Sequence, residues 1–188
     1  MLRIGIAAVA AACALAACHG SSSSNSSPTT GSTTVLALTD FVHSIESSRP
    51  PPGQASIGFV GDVLRLSATA RIDPLNGGGV TSSVATYEGP VVLGEGDYRL
   101  VLTYAFSMLA NVAVGASIEI GGTVIPLSPN SFAFDETEIL ADLAPVEFDF
   151  SLGSGEALHV VLRASGGDDN GLALPATLFV SELAIETR

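Results

Sequence analysis

The side chains in this 188-residue chain that can do chemistry are few and scattered. Its thiols, Cys13 and Cys18, stand near the start, and its imidazoles, His19, His43 and His159, lie far apart. There is no G-x-S-x-G elbow, no H-E-x-x-H pair and no phosphate-cradling P-loop. Paired carboxylates for glycoside hydrolysis need only proximity in space, and no pair stands out among the 19 Asp and Glu residues. The sequence therefore reads as a non-enzyme with no catalytic residue. Asp168-Asp169-Asn170-Gly171 supplies oxygens in a tight loop, but its spacing does not fit the twelve-residue calcium loop, and such clusters make ordinary turns. Asp135, Glu136, Glu138 and Asp142 form an acidic patch, read as solvated surface with a divalent cation as the sharper alternative. No metal site and no cofactor is expected. Arg65, Arg71 and Arg99 carry planar forks suited to an acidic or hydroxylated ligand, or to the neighbouring carboxylates. His159, between Leu158 and Val160, falls on an outer face as a solvated imidazole.

The residue with the most specific chemistry is Cys18. Before it come Met1-Leu2-Arg3, a minimal positive start, and the fourteen apolar residues Ile4–Ala17. That run is shorter than the roughly 20 residues of a bilayer-spanning helix and fits a secretory signal peptide. Leu15-Ala16-Ala17-Cys18 resembles the lipobox of bacterial lipoproteins. The resemblance implies a diacylglyceryl thioether on Cys18, cleavage just before it and acylation, for instance by palmitate, of the new amine. Two or more chains anchor stably, where one does not. Position 19 is His rather than the Asp that retains such lipoproteins at the inner membrane, which points to the outer membrane of a Gram-negative cell. Once cleaved, the chain would keep one cysteine, so the exported part must hold together without a disulfide.

Residues 19–34 hold Gly, Ser, Thr, Asn and Pro and no aliphatic side chain. Such a stretch buries too little surface to offset its ordering entropy, and as a flexible tether it reaches about 20–25 Å. The expected organisation is a signal peptide at 1–17, a lipidated Cys18 with its tether to 34, and one folded domain at 35–188.

The charge balance restricts the partners. The seven cationic residues are all Arg, and the formal net charge is -12. A nucleic-acid phosphate backbone requires clustered cations, as does electrostatic docking on anionic lipid. Neither is expected, so the membrane is reached through the N-terminal lipid.

From residue 35 the hydrophobic period is two. In "VEFDFSL" Val146, Phe148, Phe150 and Leu152 share one face, and Glu147, Asp149 and Ser151 the other. In "YRLVLTYAF" Tyr98, Leu100, Leu102, Tyr104 and Phe106 share a face, which makes both tyrosines core. "VLRLSATARI" alternates Leu64, Leu66, Ala68, Ala70 and Ile72 with Arg65, Ser67, Thr69 and Arg71. Further strands are expected at 82–93, 112–120, 123–127, 157–164 and 177–186, with Gly121-Gly122 as a two-residue hairpin turn. Residues 135–143 suit a turn or two of helix, or a loop. Eight or nine such strands with one wet face describe an all-β antiparallel sandwich, or jelly roll.

"GDYRLVLTYAF", "ASIEIGGTVIPL", "VEFDFSLGSGEALHVVLRASGG" and "TLFVSELAIE" resemble successive strands of the galactose-binding-like jelly-roll modules, a group that includes many carbohydrate-binding modules. Gly96-x-Tyr98-x-Leu100 and Phe148-x-Phe150 carry the likeness. It implies a noncatalytic binding module for glycan or exopolysaccharide. Ser181 stands where that family carries a calcium-ligating Asp, so no calcium site carries over. The chain has no Trp, and Tyr87 is the single tyrosine left for an exposed position. The alternative is a protein-interaction or assembly subunit docking into an envelope complex.

Overall fold

The computed structural model describes residues 31–48, 53–70, 79–108, 115–133, 135–169 and 172–188. The strands are β1 (Thr33–Val35), β2 (Phe41–Ser47), β3 (Gln54–Val60), β4 (Val63–Thr69), β5 (Thr81–Tyr87), β6 (Gly96–Met108), β7 (Gly115–Ile120), β8 (Thr123–Leu127), β9 (Ala144–Leu152), β10 (Val160–Asp169) and β11 (Leu172–Thr187). A short helix, α1 (Glu136–Ala141), precedes β9. One sheet runs β3-β4-β11-β6-β9, with β1 pairing β11 beyond the end of β4. The other runs β2-β5-β10-β7-β8. The β10–β11 hairpin carries the chain from one sheet to the other. All these strand pairs are antiparallel, and the fold is an all-β sandwich.

The period-two pattern explains the core. Leu64 and Leu66, Leu100 and Leu102, and Leu178 and Val180 of the first sheet meet Ile118, Ile120, Val160 and Leu162 of the second, all at most 1% exposed. Burying one such aliphatic side chain contributes about 1.5–3 kcal/mol. Tyr98 and Tyr104 are core residues, 6% and 7% exposed. Burial raises the Tyr104 phenol above its ordinary value of 10.0, and its hydroxyl donates to the Ser128 carbonyl.

β11 keeps its apolar side inward from Ala176 to Ile185 by slipping register once. The pairing with β6 shifts between Val180 and Glu182, leaving Ser181 as the extra residue of a bulge. Before it Leu178 and Val180 face the core, and after it Leu183 and Ile185 do. The same seam is where β4 stops and β1 takes over as neighbour. Gly166 marks the closest approach of the two sheets: a Cβ there would sit 2.5 Å from the Ala68 carbonyl oxygen. Gly121 and Gly122 both have positive φ, 54° and 74°, as a two-residue hairpin requires.

Several expectations need correction. β1, β2 and β3 were not legible, and β1 starts at Thr33, taking the last two residues given to the tether. The strand expected at 82–93 ends at Tyr87. Gly89-Pro90 and Gly94 follow, and a proline has no N–H for the ladder; Val91 and Leu93 reach the core from the loop instead. β10 and β11 run longer than expected because their ends pair with each other. Tyr87 is buried, 7% exposed, with its ring tilted against Phe41 at 5.4 Å. Cys18, Arg71, Ile72 and Asn170-Gly171 lie outside the described residues.

Candidate ligand-binding face

The outer face of the first sheet has two halves. At one end Ala105 of β6 and Phe179 of β11, both 0% exposed, lie beneath Ile139 of α1, with Val60, Val63, Leu140 and Leu143 around them. α1 begins at Asp135, whose side chain accepts from the Thr137 amide at 2.9 Å, the arrangement of an N-cap. Arg65 of β4 pins the helix through Glu136, Nε to Oε1 2.9 Å.

The other half is open and charged. Register fixes its rows across β11, β6 and β9, because antiparallel partners stand side by side on the same face. Arg188, whose amide bonds the Asp97 carbonyl, begins one row, followed by Asp97 and Ser151. The next holds Glu186, Arg99 and Asp149, and the third Ala184, Val101 and Glu147. Both guanidinium groups are paired with carboxylates. Arg99 holds Glu147 at 2.7 Å and Asp149 at 3.4 Å, and Arg188 holds Asp149 at 2.8 Å. Ser151 donates to Asp97 at 2.7 Å. Asp97, Asp149, Ser151 and Arg188 bound a depression of about 440 Å³ floored by the strands at Tyr98 and Phe150, whose rings stack on the core side.

The sequence placed Arg99 on an outer face with both an acidic partner and a hydroxylated ligand open; the structure supplies the partners and leaves the guanidinium about a third exposed. Arg65 is taken up by α1. Asp97, Asp149, Ser151 and Arg188 were not singled out, since β6 and β9 are far apart in sequence and only their pairing brings these side chains together. The alternation of Asp149 and Ser151 was the available signal.

On the second sheet Arg163 of β10 reaches over β5 to Glu46 of β2, and Ser82 and Ser165 share a hydrogen bond at 2.8 Å. His159 is half-exposed, 3.6 Å from Glu119. His43 bonds Ser83, whose hydroxyl donates to the Ser56 carbonyl and is fully buried. That chain ties β2 and β5 to β3 and offers no accessible nucleophile. Among the described residues no group of three or more His, Cys, Asp or Glu side chains is placed to hold a metal ion. Of the acidic residues around α1, Asp135 caps the helix and Glu136 pairs with Arg65, while Glu138 and Asp142 are exposed.

No protein-family model matches the sequence, and no curated protein does. Among solved structures, the carbohydrate-binding module TmCBM61 in complex with β-1,4-galactotriose is similar over 78% of this chain and 88% of its own, with 8% identity and a TM-score of 0.36. A GH31 α-xylosidase from Xanthomonas citri is similar over 57% of this chain and 12% of its own, with 16% identity and a TM-score of 0.26.

Proposed function

We propose that the chain is a lipid-anchored envelope protein whose sandwich is a noncatalytic glycan-binding module, with the open half of the first sheet as its binding face. The observation that carries this reading is the depression lined by Asp97, Asp149, Ser151 and Arg188, with Arg99 paired to Asp149 beside it. Carboxylates accept from sugar hydroxyls and guanidinium groups donate to them, through the charge-assisted bonds that are the stronger kind. Because these groups hold one another in place, little side-chain entropy remains to be lost on binding. The side chains of this face are partly solvated. Anchoring rests on Cys18 and its lipobox-like approach, with the outer membrane as the proposed site.

A glycan array probed with the full chain in detergent tests the binding half of this reading, and silence across all polysaccharide classes would refute it. Membrane fractionation of Cys18→Ala tests the anchor. The variant is expected in the soluble fraction, and continued membrane attachment would refute lipidation at Cys18.

A second reading, docking to an envelope protein, is favoured by an apolar groove of about 440 Å³ beside the Ser181 bulge. There Val35 and Phe59 are 61% and 49% exposed.

A further inference from the structure

Resting on the glycan reading, we infer that this face takes an uncharged sugar chain lengthwise, along β6 and β9, and rejects acidic polymers. The face is long enough for more than one sugar. On one strand face, side chains recur every two residues, about 6.8 Å, so three rows from Asp97 through Arg99 to Val101 span about 14 Å. That is longer than a single pyranose ring. Polar groups occur in each row: Arg188, Asp97 and Ser151, then Glu186, Arg99 and Asp149, then Glu147. Across the strands the rows are bounded by the exposed edge of β9, and α1 covers the same face further along β6. The direction that offers successive hydrogen-bonding groups is therefore the strand direction.

The face is also acidic. Asp97, Glu147, Asp149 and Glu186 set four carboxylates against the two guanidinium groups of Arg99 and Arg188, on a chain already at -12. A uronate or sulfate brought to this face meets net negative charge at the second and third rows, while Arg188 and Asp97 balance in the first, and both guanidinium groups are already engaged with carboxylates. Its repulsion is screened by salt but not removed at contact distance. A neutral hydroxyl carries no such penalty and uses both kinds of partner. With no aromatic ring presented to the ligand, affinity must come from adding rows, so it should grow with chain length.

The test is calorimetry of the full chain in detergent against neutral hexose oligomers of increasing length, a polyuronate and a polymeric amino sugar, each at low and high salt. The expected result is a gain of about tenfold from monosaccharide to trisaccharide, about 1.4 kcal/mol, levelling off beyond the length of the face. Neutral binding should be insensitive to salt, and the polyuronate should bind at least tenfold more weakly. Replacing Glu147 and Glu186 by Gln should raise polyuronate binding without a change in melting temperature. Equal affinity for monosaccharide and trisaccharide, preference for the polyuronate, or binding confined to the amino sugar and lost in salt would each overturn the inference while leaving a glycan module. No binding to any probe would sink the glycan reading and this inference with it.

Discussion

The two halves of one sheet face differ in what their side chains leave unfinished. Under α1, Ala105, Phe179 and Ile139 are apolar, and water is kept out by a helix of only six residues. A few strand positions away on β6, Asp97 and Arg99 point from the same face into solvent. The buried half contributes stability through its area. The charged half contributes little, since partly exposed ion pairs are worth about 0–1 kcal/mol each. A face that costs little to change and is nevertheless densely ordered is the place to look for recognition.

The comparison can be broken at its covered half first. Phe179→Ala removes a fully buried ring and should cost about 3–5 kcal/mol in a denaturant melt; a loss below 1 kcal/mol would mean that α1 does not seal this half. Asp135→Ala removes the cap from α1 and should cost about 1 kcal/mol, with faster amide exchange at Thr137 as the local sign. Asp149→Asn, on the open half, should stay within about 1 kcal/mol of the parent in stability while weakening glycan binding about tenfold, a split that a purely structural ion pair would not produce.

A smaller effect tests the boundary between the halves, where Tyr104 sits on the core side. Its phenol has a folded pKa above the unfolded 10.0 because burial disfavours the phenolate. The neutral form is therefore bound more tightly when folded, and its contribution is fully present below pH 10 and lost as pH rises through the folded value. The melting temperature should fall above pH 10, and Tyr104→Phe should fall less steeply. Parallel curves for the two proteins would show that Tyr104 is not the titrating group.

How much of this was legible follows from the period of the pattern. Where one strand face is apolar and the other polar, as in β4, β6 and β9, the sequence gives both the strand and its direction, because residues two apart share a surroundings. β2 carries Val42 and Ile45 on opposite sides, both 49% exposed at a sheet edge, and so shows no clean alternation. β1 is three residues long, and its place depends on β11, about 150 residues away. The Ser181 bulge was hidden for a related reason: Leu178, Val180, Leu183 and Ile185 break the period by one, which a pattern reading cannot tell from a strand end. The proposed binding face was half legible. Outward Arg99, Glu147 and Asp149 could be read, whereas their meeting across β6 and β9 needed the register.

Recognition is proposed on the Arg99 face and not on the opposite sheet. Calorimetry with a neutral trisaccharide should be run on the parent chain, on Arg99→Ala and on Arg163→Ala, which breaks the Glu46 pair of the second sheet. Binding is expected to be lost in Arg99→Ala and kept in Arg163→Ala. Undiminished binding in Arg99→Ala, or loss in Arg163→Ala alone, would contradict that placement.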